Sequence, residues 1–324
     1  MAARVSLPDL SQNGMLPRLI NHRTLPAPVM PSSTLPADAD VFATLRPRLF
    51  SIAYRMLGTR ADAEDVLQDA WLRWDRADHA ALASAEAWLV TVVTRLAIDR
   101  LRAAKIEREA YVGWWLPEPL VALDERTPEA AAEMASELSV AFLWVLERLS
   151  ADERAAFLLR QVFDHDYGEI AALLGKSEAA CRQMVHRASE RVQQERPRFD
   201  VPKDKHRRLL ETFMQAARSG ELEAIKAVLA DDVQIIGDGG GKVTSFVKVV
   251  RGASNIARLY SHMAERDGDE QVYRFAWING EPGLLRYLGG RLESAQAFLF
   301  DGERIAAIYS VRNPDKLVSV PPLS

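Results

Sequence analysis

Asp62-Ala63-Glu64-Asp65-Val66-Leu67-Gln68-Asp69-Ala70-Trp71 has two faces. Ala63, Val66, Leu67, Ala70, Trp71 and Trp74 recur at helical spacing and predict an amphipathic helix with one buried stripe. Asp62, Asp65 and Asp69 line up on another face, flanked by Glu64 and Gln68. Like charges so placed repel by about 0.2–0.5 kcal/mol per pair. A basic partner surface answers such a face economically and also speeds encounter. A plain solvated face is the alternative.

The same period continues on both sides. Phe42, Leu45, Leu49, Ile52, Ala53 and Met56 form an earlier stripe, in which Pro47 either starts or kinks the helix, and Gly58 and Thr59 end it. Trp88, Leu89, Val92, Val93, Leu96, Ala97 and Leu101 form a third. Three such faces can close a helical core over 39–108. In the third helix Arg95, Arg100, Arg102, Lys105 and Arg108 outnumber Asp99 and Glu107, and Thr91, Arg95, Asp99 and Arg102 share a face. Guanidinium groups suit phosphates and base edges, although a solvated helix has the same pattern.

Helical signals return over 136–197. Ser150 and Glu153 make a capping box. Tyr167–Leu174 is a short helix, Gly175 suits its left-handed stop, and Ser177 can cap the next helix, which runs to about Gln194. These are helix-turn-helix proportions. Cys181, Val185, Ala188 and Val192 make the buried stripe of the second helix. Arg182, Gln183, His186, Arg187 and Glu190 then face outward, with Ser177 and Glu178 at the start. Arg pairs with guanine and Gln with adenine in a major groove. The same unit also occurs as plain packing, and Cys181 and His186 read as a core thiol and an exposed polar residue.

Between these units, 109–135 is a linker: Pro117 and Pro119 stop any helix, and Tyr111, Trp114 and Trp115 need something to pack on. Residues 1–38 are proline-rich without a period and read as a disordered or loosely held tail. Over 203–317 two helices (204–218 and 221–230) precede segments with β character at 233–237, 243–250, 272–278, 284–288, 294–300 and 305–311, interrupted by a helix near 253–266. Gly239-Gly240-Gly241, Asn279-Gly280, Gly289-Gly290 and Asp301-Gly302 mark turns. This predicts an α+β domain, with 318–324 as a tail. Asp231, Asp232, Asp238 and His262 read as its turn and surface residues.

The net charge of -4 excludes a uniformly basic nucleic-acid binder, so any DNA contact must be local. A single cysteine excludes an intrachain disulfide. No apolar run of about 18 residues and no signal-peptide pattern stand out, so a cytoplasmic protein away from the membrane is expected.

Leu45-Arg46-Pro47-Arg48-Leu49-Phe50-Ser51-Ile52-Ala53-Tyr54-Arg55-Met56-Leu57-Gly58, followed by 63–71, resembles the second conserved region of extracytoplasmic-function (ECF) sigma factors of the sigma-70 family. Residues 149–193 resemble their fourth region, in the right order and at the right gap. Trp115-Leu116-Pro117-Glu118-Pro119, Asp238-Gly239-Gly240-Gly241-Lys242 and Asn313-Pro314-Asp315-Lys316-Leu317 resemble three signatures of a subgroup with a fused C-terminal SnoaL-like (NTF2-like) domain. The likeness covers about 40–317.

The resemblance implies a multidomain fold. Two all-α sigma domains, a region 2 helical bundle and a region 4 helix-turn-helix, precede an α+β SnoaL-like domain with a curved antiparallel sheet. It implies a transcription-initiation subunit without catalysis, cofactor or metal. Asp62, Glu64, Asp65, Gln68 and Asp69 would dock on the β′ clamp helices of core RNA polymerase. The loop 75–85 and helix 86–105, with Trp88, Arg95, Asp99, Arg100, Arg102 and Lys105, would read and melt the −10 promoter element. The helix from Ser177, with Glu178, Arg182, Gln183, His186 and Arg187, would read the −35 element, its unit lying near the β flap. The C-terminal domain would replace a separate anti-sigma factor, its three signatures packing together and answering a small-molecule or protein effector. Two rivals remain: an enzyme built on the C-terminal domain, and a one-component regulator that binds duplex DNA without polymerase.

Overall fold

The computed structural model describes residues 37–123, 139–194, 203–320 and 322. Of the stretch read as an N-terminal tail, all but the last two residues lie outside them, as does the end of the linker.

Three helices open the described chain: α1 (Ala37–Leu57), α2 (Arg60–Trp74) and α3 (Ala85–Glu109). α1 continues through Pro47, which faces solvent, so water can take up the carbonyl left without a donor. Gly58, at φ 76, ends it, and Thr59 caps α2 by accepting the Asp62 N–H. Leu49, Ile52, Ala63, Leu67, Leu89 and Val93 are buried where the three helices meet.

Among the described residues, four helices follow the linker ahead of the C-terminal part: α4 (Val140–Leu146), α5 (Ala151–Gln161), α6 (Tyr167–Leu174) and α7 (Glu178–Gln194). Ser150 and Glu153 close the expected capping box; Asp166 and Glu169 close a second, unforeseen one. Gly175 sits at φ 64, as a left-handed stop requires. α5 packs on both α1 and α3. Ala155, Phe157 and Leu158 therefore join α1–α3 in one hydrophobic core, which extends to Cys181, Val185 and Ala188 of α7. The two helical units share an interior in place of one core each.

The C-terminal part begins with α8 (Lys203–Ser219) and α9 (Leu222–Ala227). A seven-stranded sheet follows, built from β1 (Val121–Ala122), β2 (Leu229–Asp238), β3 (Val250–Arg251), β4 (Gln271–Ile278), β5 (Glu281–Leu288), β6 (Arg291–Asp301) and β7 (Arg304–Val311), with α10 (Ala253–Asp267) before β4. The strand order is β1-β4-β5-β6-β7-β2-β3. All pairings are antiparallel except β2 with β7, so the antiparallel expectation fails at one seam. A parallel neighbour needs a long crossover, and α10 with β4–β6 supplies it. Register shifts at Arg286/Tyr287 and Leu299/Phe300 bend the sheet.

Two other expectations shift. The stretch 243–250 is a loop but for its last residue: Phe246, Val249 and Val250 still pack on the core, but Val243 and Val247 stay exposed and only Val250 pairs with a strand, at Ile235. α9 ends at Ala227, three residues short of the expected 230, because fully buried Leu229 already pairs with Ile305 in β2.

α8 and α10 cover one face of the sheet through Phe213, Ile256 and Tyr260. The other face packs against the linker residue Leu116 and against Val140, Ala141 and Trp144 of α4. α4 is apolar all round, which is the pattern of a helix buried on every side.

Candidate promoter interface and interdomain junction

α2 presents its acids as expected, but the chain itself partly answers them. Asp65, Gln68 and Asp69 are exposed, while Asp62 and Glu64 are half-buried. Arg100 of α3 lies 2.7 Å from Asp62 and 3.4 Å from Asp65, and Arg46 pairs with Glu64. Arg95, Asp99, Arg102 and Lys105 project outward from α3. Trp88 lies half-buried against Trp74 at 5.7 Å, and Trp74 stacks on His79 of the 75–85 loop at 4.1 Å. An aromatic platform thus lies beside a cationic helix.

α7 buries Cys181, Val185, Ala188 and Val192 as expected, together with Met184. Arg182, Gln183, His186, Arg187 and Glu190 are all exposed. Ser177 accepts the Ala180 N–H at 3.2 Å, and Glu178 holds Arg182 at 2.7 Å. Glu153 draws Arg187 and Arg191, each at 3.5 Å. Despite the desolvation that opposes it, hydrogen bonds from Ser150 and the two guanidinium charges hold the Glu153 carboxyl below its ordinary range.

The three motifs of the linker, glycine loop and C-terminal segment meet at one buried carboxylate. Asp238, fully buried, accepts from the Tyr111 hydroxyl at 2.5 Å, the Leu116 N–H at 2.9 Å, the Gly240 N–H at 3.0 Å and the Lys316 ammonium at 2.7 Å. Lys316 also donates to the Leu116 carbonyl and lies 3.8 Å over the Trp115 ring. Arg108 of α3 takes up the same ring at 4.1 Å, so Trp115 lies against one cation from the helix before it and one from the C-terminal segment. Asn313 donates to the Tyr111 hydroxyl. Gly240, at φ 61, has no room for a Cβ beside the Asn313 amide. Lys242 and Asp315 pair at the surface of the same junction.

A second seam ties region 2 to the sheet. The Tyr54 hydroxyl donates to the Glu118 carbonyl at 2.5 Å and accepts from the Asn279 amide at 2.7 Å. Asn279 exchanges backbone and side-chain bonds with Leu120, and Val121–Ala122 adds the edge strand beside β4. A third seam joins the helical units. Buried Arg154 donates to the Met56 carbonyl at 2.6 Å and to Glu147 at 2.7 Å, Arg108 pairs with Glu147 from the other side, and Arg102 reaches Asp152 at 2.9 Å.

Burial brings Lys316 down to about 8, with the Asp238 charge and hydrogen bond opposing the fall. Between about 8 and the ordinary 10.5 the unfolded chain holds a proton that the folded chain has released. Stability therefore rises with pH across that window, and the gain disappears as pH falls through 8. Denaturant unfolding of wild type and Lys316→Met checks this. The difference between them should move in favour of the wild type as pH climbs, and a constant difference contradicts it.

Residues 41–106 match the family model Sigma-70 region 2, and residues 139–192 match Sigma-70, region 4. The ECF RNA polymerase sigma factor SigJ of Mycobacterium tuberculosis is 38% identical over 296 residues, which span 88% of this chain and 94% of SigJ. The chain belongs to the ECF RNA polymerase sigma factors. A probable ECF sigma factor of the same organism, SigI, is 28% identical over 276 residues, 84% of this chain and 92% of that protein. The crystal structure of SigJ superposes with a TM-score of 0.73 at 36% identity, covering 87% of this chain and 99% of that one.

In this ECF factor several junction residues escaped sequence reading. Asp238, read from its residue type as a turn or surface residue but placed by the resemblance in one of three signatures that pack together, is the buried hub of the junction; exposed Asp231, Asp232 and His262 do read as surface residues. Tyr111 counted only as a linker aromatic and Asn279 only as a turn signal. Arg154, Glu147 and Asp152 sit on helices whose periodicity was clear, but the partner helix was not. The one visible signal was Tyr54 within an apolar stripe, a polar tip that needs a partner when buried.

Proposed function

We propose that the chain binds core RNA polymerase through the α2 face and carries it to promoters read at two places. Region 2, 39–108, reads and opens the −10 element with α3 and the 75–85 loop. Region 4, 136–197, reads the −35 element with α7 near the β flap. The linker 109–135 and the SnoaL-like domain 203–317 regulate the pair, and the chain works in the cytoplasm as a non-catalytic subunit. One observation supports this reading above the others: both sigma-70 regions match in order, and Arg182, Gln183, His186 and Arg187 are exposed on the outer face of α7.

The shared core supplies the regulatory part. Elements named −35 and −10 lie about 25 base pairs apart, roughly 85 Å on straight duplex. Helical units packed in one core cannot span that, so promoter binding requires them to part. The Trp115, Asp238 and Lys316 junction resists parting, and an effector acts to the extent that it binds the closed and open forms unequally.

Run-off transcription of sheared genomic DNA by core polymerase, with and without the protein, tests the reading. New starts sharing two upstream elements are expected; none from either the full chain or 1–197, with no core binding, defeats it. On a promoter so found, Arg182→Ala or Gln183→Ala should each lower specific complex formation by about 1–3 kcal/mol, relaxing one base position. Trp115→Ala and truncation before Asn313 should each change promoter output, and unchanged output removes the regulatory role.

A further inference from the structure

Lys203, Lys205, Arg207 and Arg208 stand in the first six positions of α8, against Asp204 alone. Cations there oppose the helix macrodipole, so their placement is unfavourable unless an anion answers them. Among the described residues the answers to Lys205, Arg207 and Arg208 are weak. Lys205 lies 3.8 Å from Glu303 with both side chains largely in water, and Arg207 lies 3.3 Å from Glu211 one turn on. Among the described residues no carboxylate pairs with Arg208, which is exposed. Leu210, Phe213 and Ala217 bury the opposite side of α8, so Lys205, Arg207 and Arg208 point away from the domain core. Arg207 is further steadied over the Phe275 ring at 4.9 Å.

The chain length sets where this patch can act. Eight residues separate Gln194, the end of α7, from Lys203. Nine peptide steps reach at most about 30 Å, or roughly nine base pairs. A charged patch so tethered cannot leave the neighbourhood of the DNA that α7 engages.

We propose that Lys205, Arg207 and Arg208 hold backbone phosphates of the duplex flanking the −35 element, making the C-terminal domain a second, sequence-independent DNA contact beside region 4. The proposal rests on α7 as the −35 reader. It gives the domain a positive role in the promoter complex besides its role at the junction.

The test uses holoenzyme of the full chain on a promoter found as above, comparing wild type with Lys205→Gln/Arg207→Gln/Arg208→Gln. The logarithm of affinity should fall less steeply with the logarithm of salt concentration for the triple variant, by about 2–3 in slope. Trimming the duplex to the edge of the −35 element should weaken wild type and leave the variant unmoved. Arg207→Lys/Arg208→Lys should keep the wild-type slope, because the charge alone is used. An unchanged slope with unchanged sensitivity to trimming overturns the proposal. So does loss of core-polymerase binding without DNA, which would make the patch a protein contact. Wild-type holoenzyme that binds no promoter at any length refutes the −35 reading itself.

Discussion

Asp238→Ala lowers the midpoint of thermal unfolding by about 6 °C. The carboxylate is fully buried and serves four donors from three segments: Tyr111, Leu116, Gly240 and Lys316. Its removal leaves a buried ammonium without its counter-charge, a loss of about 3–5 kcal/mol. At roughly 1.5 °C per kcal/mol for a chain of this size, the shift is easily read by calorimetry. Asp238→Ala/Lys316→Met should recover part of the loss, because it removes both charges together. A double-mutant cycle isolates that coupling. A drop of less than about 2 °C would mean that the junction holds without its hub.

Arg154→Ala has an effect of similar size at the other seam. Arg154 is 2% exposed and bridges the Met56 carbonyl of α1 to Glu147. Truncation leaves that carbonyl without this donor, takes one of two guanidinium groups from Glu147 and opens a cavity where α5 meets α1. About 3–5 kcal/mol is expected from the broken buried pair. The consequence differs from that of Asp238→Ala because α3 and α7, the two helices proposed to read DNA, lie across this seam. Spin labels at Arg95→Cys and Gln183→Cys, both exposed, report it, since Cys181 is too buried to be labelled. The distance distribution should lengthen and broaden in the Arg154→Ala background. An unaltered distribution would show that apolar contact alone holds the helical units together.

The helices were legible because their apolar residues repeat at helical spacing and their ends carry caps: Ser150 with Glu153, Gly175, Ser177. The outward residues of α7 followed from the same period. Motif composition pointed to the junction, since Pro117, Gly240 and Pro314 suit no ordinary helix or strand interior. What escaped was pairing at long range. Nothing local tells α5 that its neighbour is α1, or tells Leu229 that it lies parallel to Ile305. Val243–Val250 looked like a strand because β-branched residues favour one, but only Val250 finds a strand to pair with, although Phe246 and Val249 pack on the core. Asp238 resembled a turn residue because its donors come from Tyr111 and Lys316, far off in sequence.

α4 has a bearing on how such proteins diversify. Leu143, Val145 and Leu146 belong to the interior of the sigma helices, while Val140, Ala141 and Trp144 belong to the back of the sheet. A gene fusion or deletion that cuts between 194 and 203 looks clean on the linear map, yet it strips the cover from one side of this helix and uncovers an apolar patch on both products. Descendants that shed the C-terminal domain would need polar replacements at Val140, Ala141 and Trp144. Lineages that keep it inherit the two parts as a unit, so domain shuffling should stop short of this boundary and changes on the two surfaces should accumulate together.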